Sequence, residues 1–585
     1  MKFSLAFHLR GRAVICLRTG RSAGSLKTMF WKRTPKPGVE TAVALAGTAF
    51  SAILLVLTAM YAGPLWRDET NTLNVAQMPS LKESWNIESF PPLWLLLLRG
   101  CGFLGMANSD AGIRVLGLYV GVFFLALLWM CSRWTGGRAP ILSMALLGSL
   151  PAFIFIVGAN RAYGLANCLL VLSFGMIWRM VEFPSRLRIF LAGLTCIFFV
   201  HCIYYDAVFL CAMLAAAALV AVRRRQWKTL GALAGIGAVS GASMMIYLPT
   251  IRRSSVCGPM LQDPSFNFST VWHKLGDAVA ARSSAQPAAP NGPEVWFWVA
   301  LLLGGSVAAL VMQRARGRQV SDQEAAAVIA ARTRADLALF CVVSMLFGTV
   351  GYFTFLLRLH YLTQTWYYVE LLSLCAISLD GILGANWPAL RPWGLLRIGF
   401  MVVMMSWLAA PAWEEAHTRR SNLDLIAAVL GRQASAGDLI VVQEPWEGVT
   451  FDRYYRGQAH WVTVPPIDSH KIHRYDLVWE KLNQRDPMAP VLRESTNALR
   501  NGNSVWIVRH VSAVDPKQLP PVPPLPPGLP TKWWLQPYLG YWSAQVTVPL
   551  LEHAMHEQIL EIPVNGPVSL LENLSVLRFS GYKSN

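Results

Sequence analysis

Apolar segments of about 20 residues, nearly free of charged side chains, recur along the first 411 residues of the chain. A helix needs about 20 such residues to cross the roughly 30 Å hydrocarbon core of a bilayer. Only 14% of the residues are charged, whereas soluble domains carry about 25%. The sequence therefore predicts a polytopic α-helical membrane protein.

We predict about eleven transmembrane helices from these segments. The segment 189–222 is counted as two spans that turn at HCIYYDAV (201–208), because one helix of that length would extend about 51 Å. The run 91–106 is short, opens with two prolines and contains Arg99, so we expect an interfacial or re-entrant helix there. The predicted spans are about 40–60, 113–132, 139–157, 162–178, 187–202, 205–222, 229–248, 294–312, 336–356, 366–384 and 393–411.

The net charge of +18 is distributed as in a membrane protein, not as in a nucleic-acid-binding protein. Residues 1–38 carry nine Lys or Arg and no acid, and RRRQWK (223–228) and QRARGR (313–318) lie between apolar segments. Basic clusters of this kind mark cytoplasmic loops, and no nucleic-acid-binding motif accompanies them. This distribution predicts a cytoplasmic N-terminus and an acid-rich first loop that faces outward.

Three regions follow from this topology. A basic cytoplasmic tail (1–39) precedes a transmembrane domain (40–412), whose first and fourth outward loops are 61–112 and 249–293. Two alternatives remain for 1–28: a transit peptide, or a misassigned start with Met29 as the true one. A periplasmic domain (413–585) follows, and we predict that it is a small α/β domain. The segment 421–443 is typical of an amphipathic helix followed by a strand, and 504–510 is typical of a second strand. The segment 520–530 is a polyproline linker within this domain.

Two adjacent acids, Asp68 and Glu69, follow the first span directly and open a predicted helix. Neighbouring residues on a helix point in different directions. One acid is therefore expected to face a cavity, as a base for a hydroxyl or amine, while the other caps the helix or pairs with Arg67. The alternative is that Asp68 is simply an N-cap, which stabilises a helix by about 1 kcal/mol.

Two motifs in the first loop resemble the GT-C glycosyltransferases, membrane enzymes that use polyprenyl-phosphate sugars. These include glycosyltransferase family 39, the protein O-mannosyltransferases, and the lipid A aminoarabinose transferase. Trp66, Asp68 and Glu69 match an aromatic residue followed by Asp-Glu, and PPLW (91–94) matches a Pro-Pro-Leu-aromatic segment. The specific motifs cover only 61–100. The resemblance implies a bacterial inner-membrane protein with juxtamembrane helices in the first outward loop and an outward, periplasmic C-terminal domain.

The resemblance implies roles for several residues. Asp68 corresponds to the catalytic acid that activates the acceptor, with Glu69 in support. Arg161 and Tyr163 correspond to an outward Arg-x-Tyr that lines the cavity, and His201 and Tyr205 occupy another outer turn. Glu370 departs from the family pattern, which has an apolar residue there, and an ion pair with an outward arginine is its alternative role.

The predicted function is transfer of a sugar from a polyprenyl-phosphate donor to a lipid, glycan or protein acceptor on the periplasmic side. The enzyme would be an inverting hexosyl- or pentosyltransferase. Two alternatives remain open, namely a transporter or flippase of lipid-linked sugars and a non-catalytic membrane scaffold. The absence of a P-loop or GxGxxG motif agrees with a lipid donor rather than a nucleotide sugar.

A lipid phosphate requires cationic partners, and arginine suits phosphate oxygens because it donates two hydrogen bonds side by side. Two adjacent acids alone do not define a metal site, so a divalent cation near Asp68 and Glu69 stays an open alternative. The motif HKIH (470–473) is expected to have a surface role rather than to bind zinc, and FDRYYRG (451–457) either touches carbohydrate or packs within its domain. The outward candidates for phosphate binding are Arg67, Lys82, Arg161, Arg252, Arg253, Arg358 and His360.

Overall fold

The computed structural model describes most of the chain in seven segments. Residues 1–37 of the predicted basic tail and the polyproline linker lie outside the described residues. The described segments are 38–87, 90–137, 139–288, 292–319, 325–390, 394–511 and 535–583.

Nine helices among the described residues are long and apolar enough to cross a bilayer. This confirms the predicted class, a polytopic α-helical membrane protein. Their apolar faces pack into one large buried cluster that extends from the first helix to the last. The nine spans are Val39–Tyr61, Asp110–Trp134, Ala162–Glu182, Asp206–Arg223, Trp227–Arg253, Pro293–Val311, Arg332–Leu359, Thr365–Gly384 and Leu396–His417.

The count of eleven spans is not confirmed, because two predicted spans differ from a full-length helix. The segment 139–157 forms two seven-residue helices, Ile141–Leu147 and Pro151–Val157, since Pro151 lacks the N–H that would continue the first one. Asp380 caps the first short helix by accepting hydrogen bonds from the backbone N–H groups of residues 142 and 143. The other segment forms Arg186–Val200, whose 15 residues extend only about 22 Å.

Short helices in the loops connect these spans. Leu93–Phe103 has 11 residues, about 16 Å, so it is too short to cross the bilayer. The prediction that 91–106 does not form a full span agrees with this length. The other short helices in the loops are Arg67–Ala76, Leu81–Ile87 and Phe268–Val279. The span Trp227–Arg253 consists of Trp227–Met244, a 3₁₀ turn at Met245–Tyr247 and the start of the helix Leu248–Cys257.

A five-stranded sheet forms the centre of the C-terminal domain, with strand order β2-β1-β3-β5-β4. β1 is parallel to β2 and β3, whereas β5 is antiparallel to β3 and β4. The predicted small α/β domain is confirmed, with its first helix at Leu423–Gln433. The strands are β1 (Leu439–Val442), β2 (His460–Thr463), β3 (Val505–His510), β4 (Ala554–Leu560) and β5 (Leu574–Tyr582); the remaining helices are Pro445–Tyr454, Tyr475–Leu482, Ala489–Arg500 and Gln536–His553.

Ion pairs identify one end of the helical bundle. Arg397 pairs with Glu40 at 3.1 Å, which joins the first residues of the first and last spans. Arg224, in the basic cluster RRRQWK, pairs with buried Asp336 at 2.6 Å. The same two helices meet at the opposite end through Tyr61 and His417, whose ring centroids lie 4.5 Å apart. The C-terminal domain and the first loop lie at this opposite end.

Candidate functional site

The first loop presents its two acids at the start of the helix Arg67–Ala76, which we call the Asp68 helix. Trp66 is the N-cap, so the alternative that Asp68 caps the helix is wrong. Glu69, at the third helical position, accepts a 3.4 Å hydrogen bond from the Trp66 backbone N–H. Asp68 and Glu69 then point in different directions and have different environments.

Glu69 is completely buried in a network of hydrogen bonds. The Arg114 guanidinium donates to Glu69 Oε1 at 2.6 Å and to the Pro64 carbonyl at 2.7 Å. The backbone N–H of Asn160 donates to the same Glu69 oxygen at 2.8 Å. Of the two roles predicted for the second acid, Glu69 has the capping role, through the hydrogen bond from the Trp66 N–H, and its ion-pair partner is Arg114 rather than Arg67. Glu69 joins the first loop to the span Asp110–Trp134 and to the connection before the span Ala162–Glu182.

Asp68 keeps 23% of its side chain exposed and lies beside Arg161. The nearest guanidinium nitrogen of Arg161 is 3.8 Å from Asp68 Oδ2, which is longer than a hydrogen bond. Arg161 is fixed instead by hydrogen bonds to Thr72 Oγ1 at 2.6 Å and to the Asp68 carbonyl at 3.1 Å. The Asp68 carboxylate and the Arg161 guanidinium therefore lie side by side at a distance longer than a hydrogen bond.

A pocket opens next to this pair and is lined mainly by apolar and aromatic side chains. The Arg161 guanidinium lies over the rings of Phe90, at 5.3 Å, and Tyr163, at 5.9 Å. Such an arrangement suits a ligand that has an anionic group and an apolar body. The lining residues are Thr72, Phe90, Pro91, Trp94, Leu95, Arg161, Ala162 and Tyr163.

Aromatic contacts continue from the pocket toward the membrane interior. Tyr163 contacts Tyr367, which contacts Tyr205, with centroid distances of 5.8 and 6.3 Å. The Tyr205 hydroxyl donates to Glu370 Oε1 at 3.4 Å. Glu370 is completely buried, and its polar neighbours are Asp206 and Tyr205. Tyr163, Tyr205 and Glu370 are thus joined to the pocket by one continuous series of contacts.

Arg67 does not face the pocket, although we predicted it as a phosphate-binding residue. Its guanidinium makes an ion pair with Glu447 of the C-terminal domain. Its backbone N–H donates to Glu572 of the same domain at 2.8 Å. Because both groups are engaged, Arg67 connects the Asp68 helix to the C-terminal domain, and the prediction is corrected accordingly.

Glu447 lies in a cluster of titratable groups with Glu444 and His510. Their ligand atoms all lie within 4.8 Å of one another, a spacing that would suit a metal ion. Arg67 already contacts Glu447 and supplies a neutralising charge, so we interpret the cluster as an ion network. Burial opposes ionisation of Glu447, but Arg67 and His510 overcome this and lower its pKa to about 2. Burial and the Glu447 charge raise the pKa of Glu444 to about 7.

The raised pKa of Glu444 predicts a pH-dependent attachment of the C-terminal domain. A group whose pKa is higher in the folded state stabilises the fold below its unfolded pKa of about 4.5, and this contribution is lost as pH rises through 7. Glu444→Gln, which mimics the protonated form, should raise the thermal unfolding midpoint at pH 8 and leave it unchanged at pH 5. Equal shifts at both pH values would contradict the network, and Glu557→Gln, at an exposed position of β4, is the control.

The other cations that we predicted to bind phosphate do not line the pocket. Lys82, Arg252, Arg253, Arg358 and His360 are all exposed. The His360 backbone carbonyl accepts a 2.9 Å hydrogen bond from the Asp263 N–H, which gives this loop a structural contact. Of the predicted cations, Arg161 is the one that lines the pocket.

His201 and the motif HKIH have roles that the sequence did not indicate. The His201 ring contacts the Tyr247 hydroxyl and lies 3.1 Å from Ser243 Oγ, and burial lowers its pKa. His470 and His473 are only partly exposed, and burial lowers the pKa of each to about 4. The surface role expected for HKIH is therefore wrong, because this segment packs against the Asp68 helix.

Two solved structures are similar to this chain. One is ArnT from Cupriavidus metallidurans bound to undecaprenyl phosphate, which is 12% identical, with 91% of this chain and 97% of that chain covered and a TM-score of 0.45. The other is the same protein in the apo state, 13% identical, with the same coverage and a TM-score of 0.38. No family model and no curated protein sequence matches the chain. The fold assignment rests on the helices and sheet described above.

Sequence reasoning missed four residues that define the site. Phe90 directly precedes the motif PPLW but is not part of it, so the motif does not indicate its role. Thr72 follows Asp68 by four residues, so the helical period alone places it on the same face. Arg114 and Glu447 carry no local indication, because their partners lie 45 and 380 residues away in the sequence.

Proposed function

We propose that this protein is a GT-C-type glycosyltransferase that moves a sugar from a polyprenyl phosphate to an acceptor at the periplasmic face. The observation that carries the proposal is the partly exposed carboxylate of Asp68, 3.8 Å from the Arg161 guanidinium at the edge of an aromatic pocket. A base and a phosphate-binding cation thus lie at one site. Both are needed for direct displacement of a lipid phosphate.

In this reaction Asp68 takes the proton from the acceptor hydroxyl or amine. The acceptor atom then forms a bond to the anomeric carbon, and the bond between that carbon and the phosphate oxygen breaks. The electron pair leaves with the polyprenyl phosphate. A single displacement of this kind inverts the anomeric configuration. A positioned general base typically contributes about 10²- to 10⁴-fold to the rate.

Arg161 is suited to stabilise the departing phosphate. Its two hydrogen bonds hold the guanidinium in place before the reaction, so little reorganisation is needed when negative charge develops. Phe90 and Tyr163 present ring faces that suit the sugar or the first isoprene units. Tyr367, Tyr205 and Glu370 extend the polar path from this site toward the membrane interior.

The distribution of basic groups supports a periplasmic position for the site. The helix Asp206–Arg223 spans about 27 Å, beginning near Tyr205 on the pocket side and ending at the RRRQWK cluster. Basic clusters favour the cytoplasmic side. Asp68 then faces the periplasm, with the C-terminal domain on the same side. A donor that is anchored in the bilayer can reach an acid placed so close to the first span.

The proposal is tested with purified full-length protein in liposomes. Undecaprenyl-phosphate sugars with different hexoses and pentoses are added together with extracted envelope lipids and glycans, and released undecaprenyl phosphate is measured by mass spectrometry. We expect protein-dependent release with at least one donor, increased by acceptor extract. Release no greater than in protein-free liposomes, across the whole panel, would contradict the proposal.

A further inference from the structure

The C-terminal domain reaches the Asp68 site through the segment Lys471–Tyr475. The backbone N–H of His473 donates to Asn71 Oδ1 at 2.8 Å, and Asn74 donates to the Lys471 carbonyl at 2.6 Å. Asn71 follows Asp68 by three residues, so the two lie on the same side of the Asp68 helix. The segment therefore packs against the helical face that carries the catalytic acid.

The His473 ring is held in place by aromatic neighbours. The rings of Trp446 and Tyr475 lie 5.5 and 5.9 Å from it, both in edge-to-face orientation. His473 Nε2 is buried and makes no hydrogen bond with the described residues. A buried polar atom without a hydrogen bond is unfavourable, so positions that retain one often serve a ligand.

The charges that act on the His473 ring belong to the same site. They are chiefly those of Asp68, Arg67 and Arg161. Burial lowers the pKa of His473 to about 4, so its imidazole is neutral at physiological pH. A neutral ring forms a hydrogen bond without neutralising the carboxylate that must accept the proton.

We propose that His473 is a substrate-contacting residue of the Asp68 site, whose Nε2 forms a hydrogen bond with the acceptor hydroxyl or amine and orients it toward Asp68. This inference rests on the proposed function. It makes the C-terminal domain part of the active site, with Phe90 and Arg161 on the donor side and His473 on the acceptor side.

The test compares His473→Ala, His473→Gln and a control, His460→Ala, in the liposome assay. The His460 side chain is 67% exposed on the same domain. His473→Ala should lower kcat/KM for the acceptor extract about tenfold to a hundredfold. The KM for undecaprenyl-phosphate sugar should not change, and His473→Gln should recover part of the loss because an amide keeps a hydrogen-bonding group. Values for His473→Ala equal to those of His460→Ala would overturn the inference.

A second measurement separates this inference from the proposed function. Diethyl pyrocarbonate modifies neutral, accessible imidazole rings, and peptide mass spectrometry locates the modified histidine. If the wild type releases no lipid phosphate, the proposed function fails, and the reagent alone then tests the access to Nε2. Because His473 Nε2 is buried in this structure, its modification in the folded protein requires that the position open to a small molecule, which is what the proposal predicts. Modification of His460 with none at His473 would overturn it.

Discussion

Asp68→Asn should reduce sugar transfer by about 10²- to 10⁴-fold while the protein stays folded. The asparagine amide has the same shape as the carboxylate but does not accept the acceptor proton. The partly exposed position of Asp68 and its 3.8 Å separation from Arg161 predict a change in stability within about 0.5 kcal/mol. The measurement is the rate of undecaprenyl phosphate release at saturating donor, with the unfolding midpoint recorded for the same preparation.

The matched control for this substitution is Glu83→Gln, in the next helix of the same loop. Glu83 is exposed and does not line the pocket. Its replacement removes one negative charge from the first loop, so it corrects for any general electrostatic effect on donor binding. Wild-type rates for Asp68→Asn would exclude this carboxylate as the base and require another group in the pocket.

Arg114→Met should destabilise the protein by about 3–5 kcal/mol. The substitution leaves Glu69 completely buried without its charged partner. The backbone N–H of Asn160 continues to donate to the carboxylate but does not neutralise it. The thermal unfolding midpoint in detergent is the measurement, and it should fall well below that of the wild type.

Two comparisons show whether burial is the cause. The pair Arg453–Asp110, with side chains 22% and 28% exposed, joins the same loop to the C-terminal domain. Arg453→Met should cost about 1 kcal/mol or less, because solvent screens an exposed pair. The double variant Glu69→Gln/Arg114→Met should recover part of the loss, since no charge is then buried alone. Equal losses for Arg114→Met and Arg453→Met would contradict this explanation.

The class of fold follows from the sequence because apolar length and charge are local properties. The runs around 40–60 and 113–132 each form one uninterrupted helix, Val39–Tyr61 and Asp110–Trp134. The segment 139–157 has the same composition, yet it breaks at Pro151, and the broken backbone is supported by Ser51, which donates to the Gly148 carbonyl at 2.7 Å. No property of 139–157 alone indicates that partner.

The candidate site is likewise predictable from the sequence only in part. Adjacent positions on a helix predicted that Asp68 and Glu69 would differ, and the motif around Arg161 indicated an arginine near them. The partners that decide each role are distant in sequence. Glu69 pairs with Arg114, and Arg67 pairs with Glu447 instead of facing the pocket. The local sequence around each of these arginines does not indicate which one binds phosphate. His473 is brought to the helix only by the packing of the C-terminal domain.

The most direct test of sugar transfer follows the sugar itself. Liposomes containing the wild-type protein receive undecaprenyl-phosphate sugar labelled with carbon-13 in the sugar, plus acceptor extract. We predict that label appears in the acceptor fraction in equal amount to the undecaprenyl phosphate released, and that Asp68→Asn abolishes both. The contrary result is labelled donor that crosses the bilayer intact, with no label on the acceptor and no free lipid phosphate. That result would exclude sugar transfer and identify a transporter.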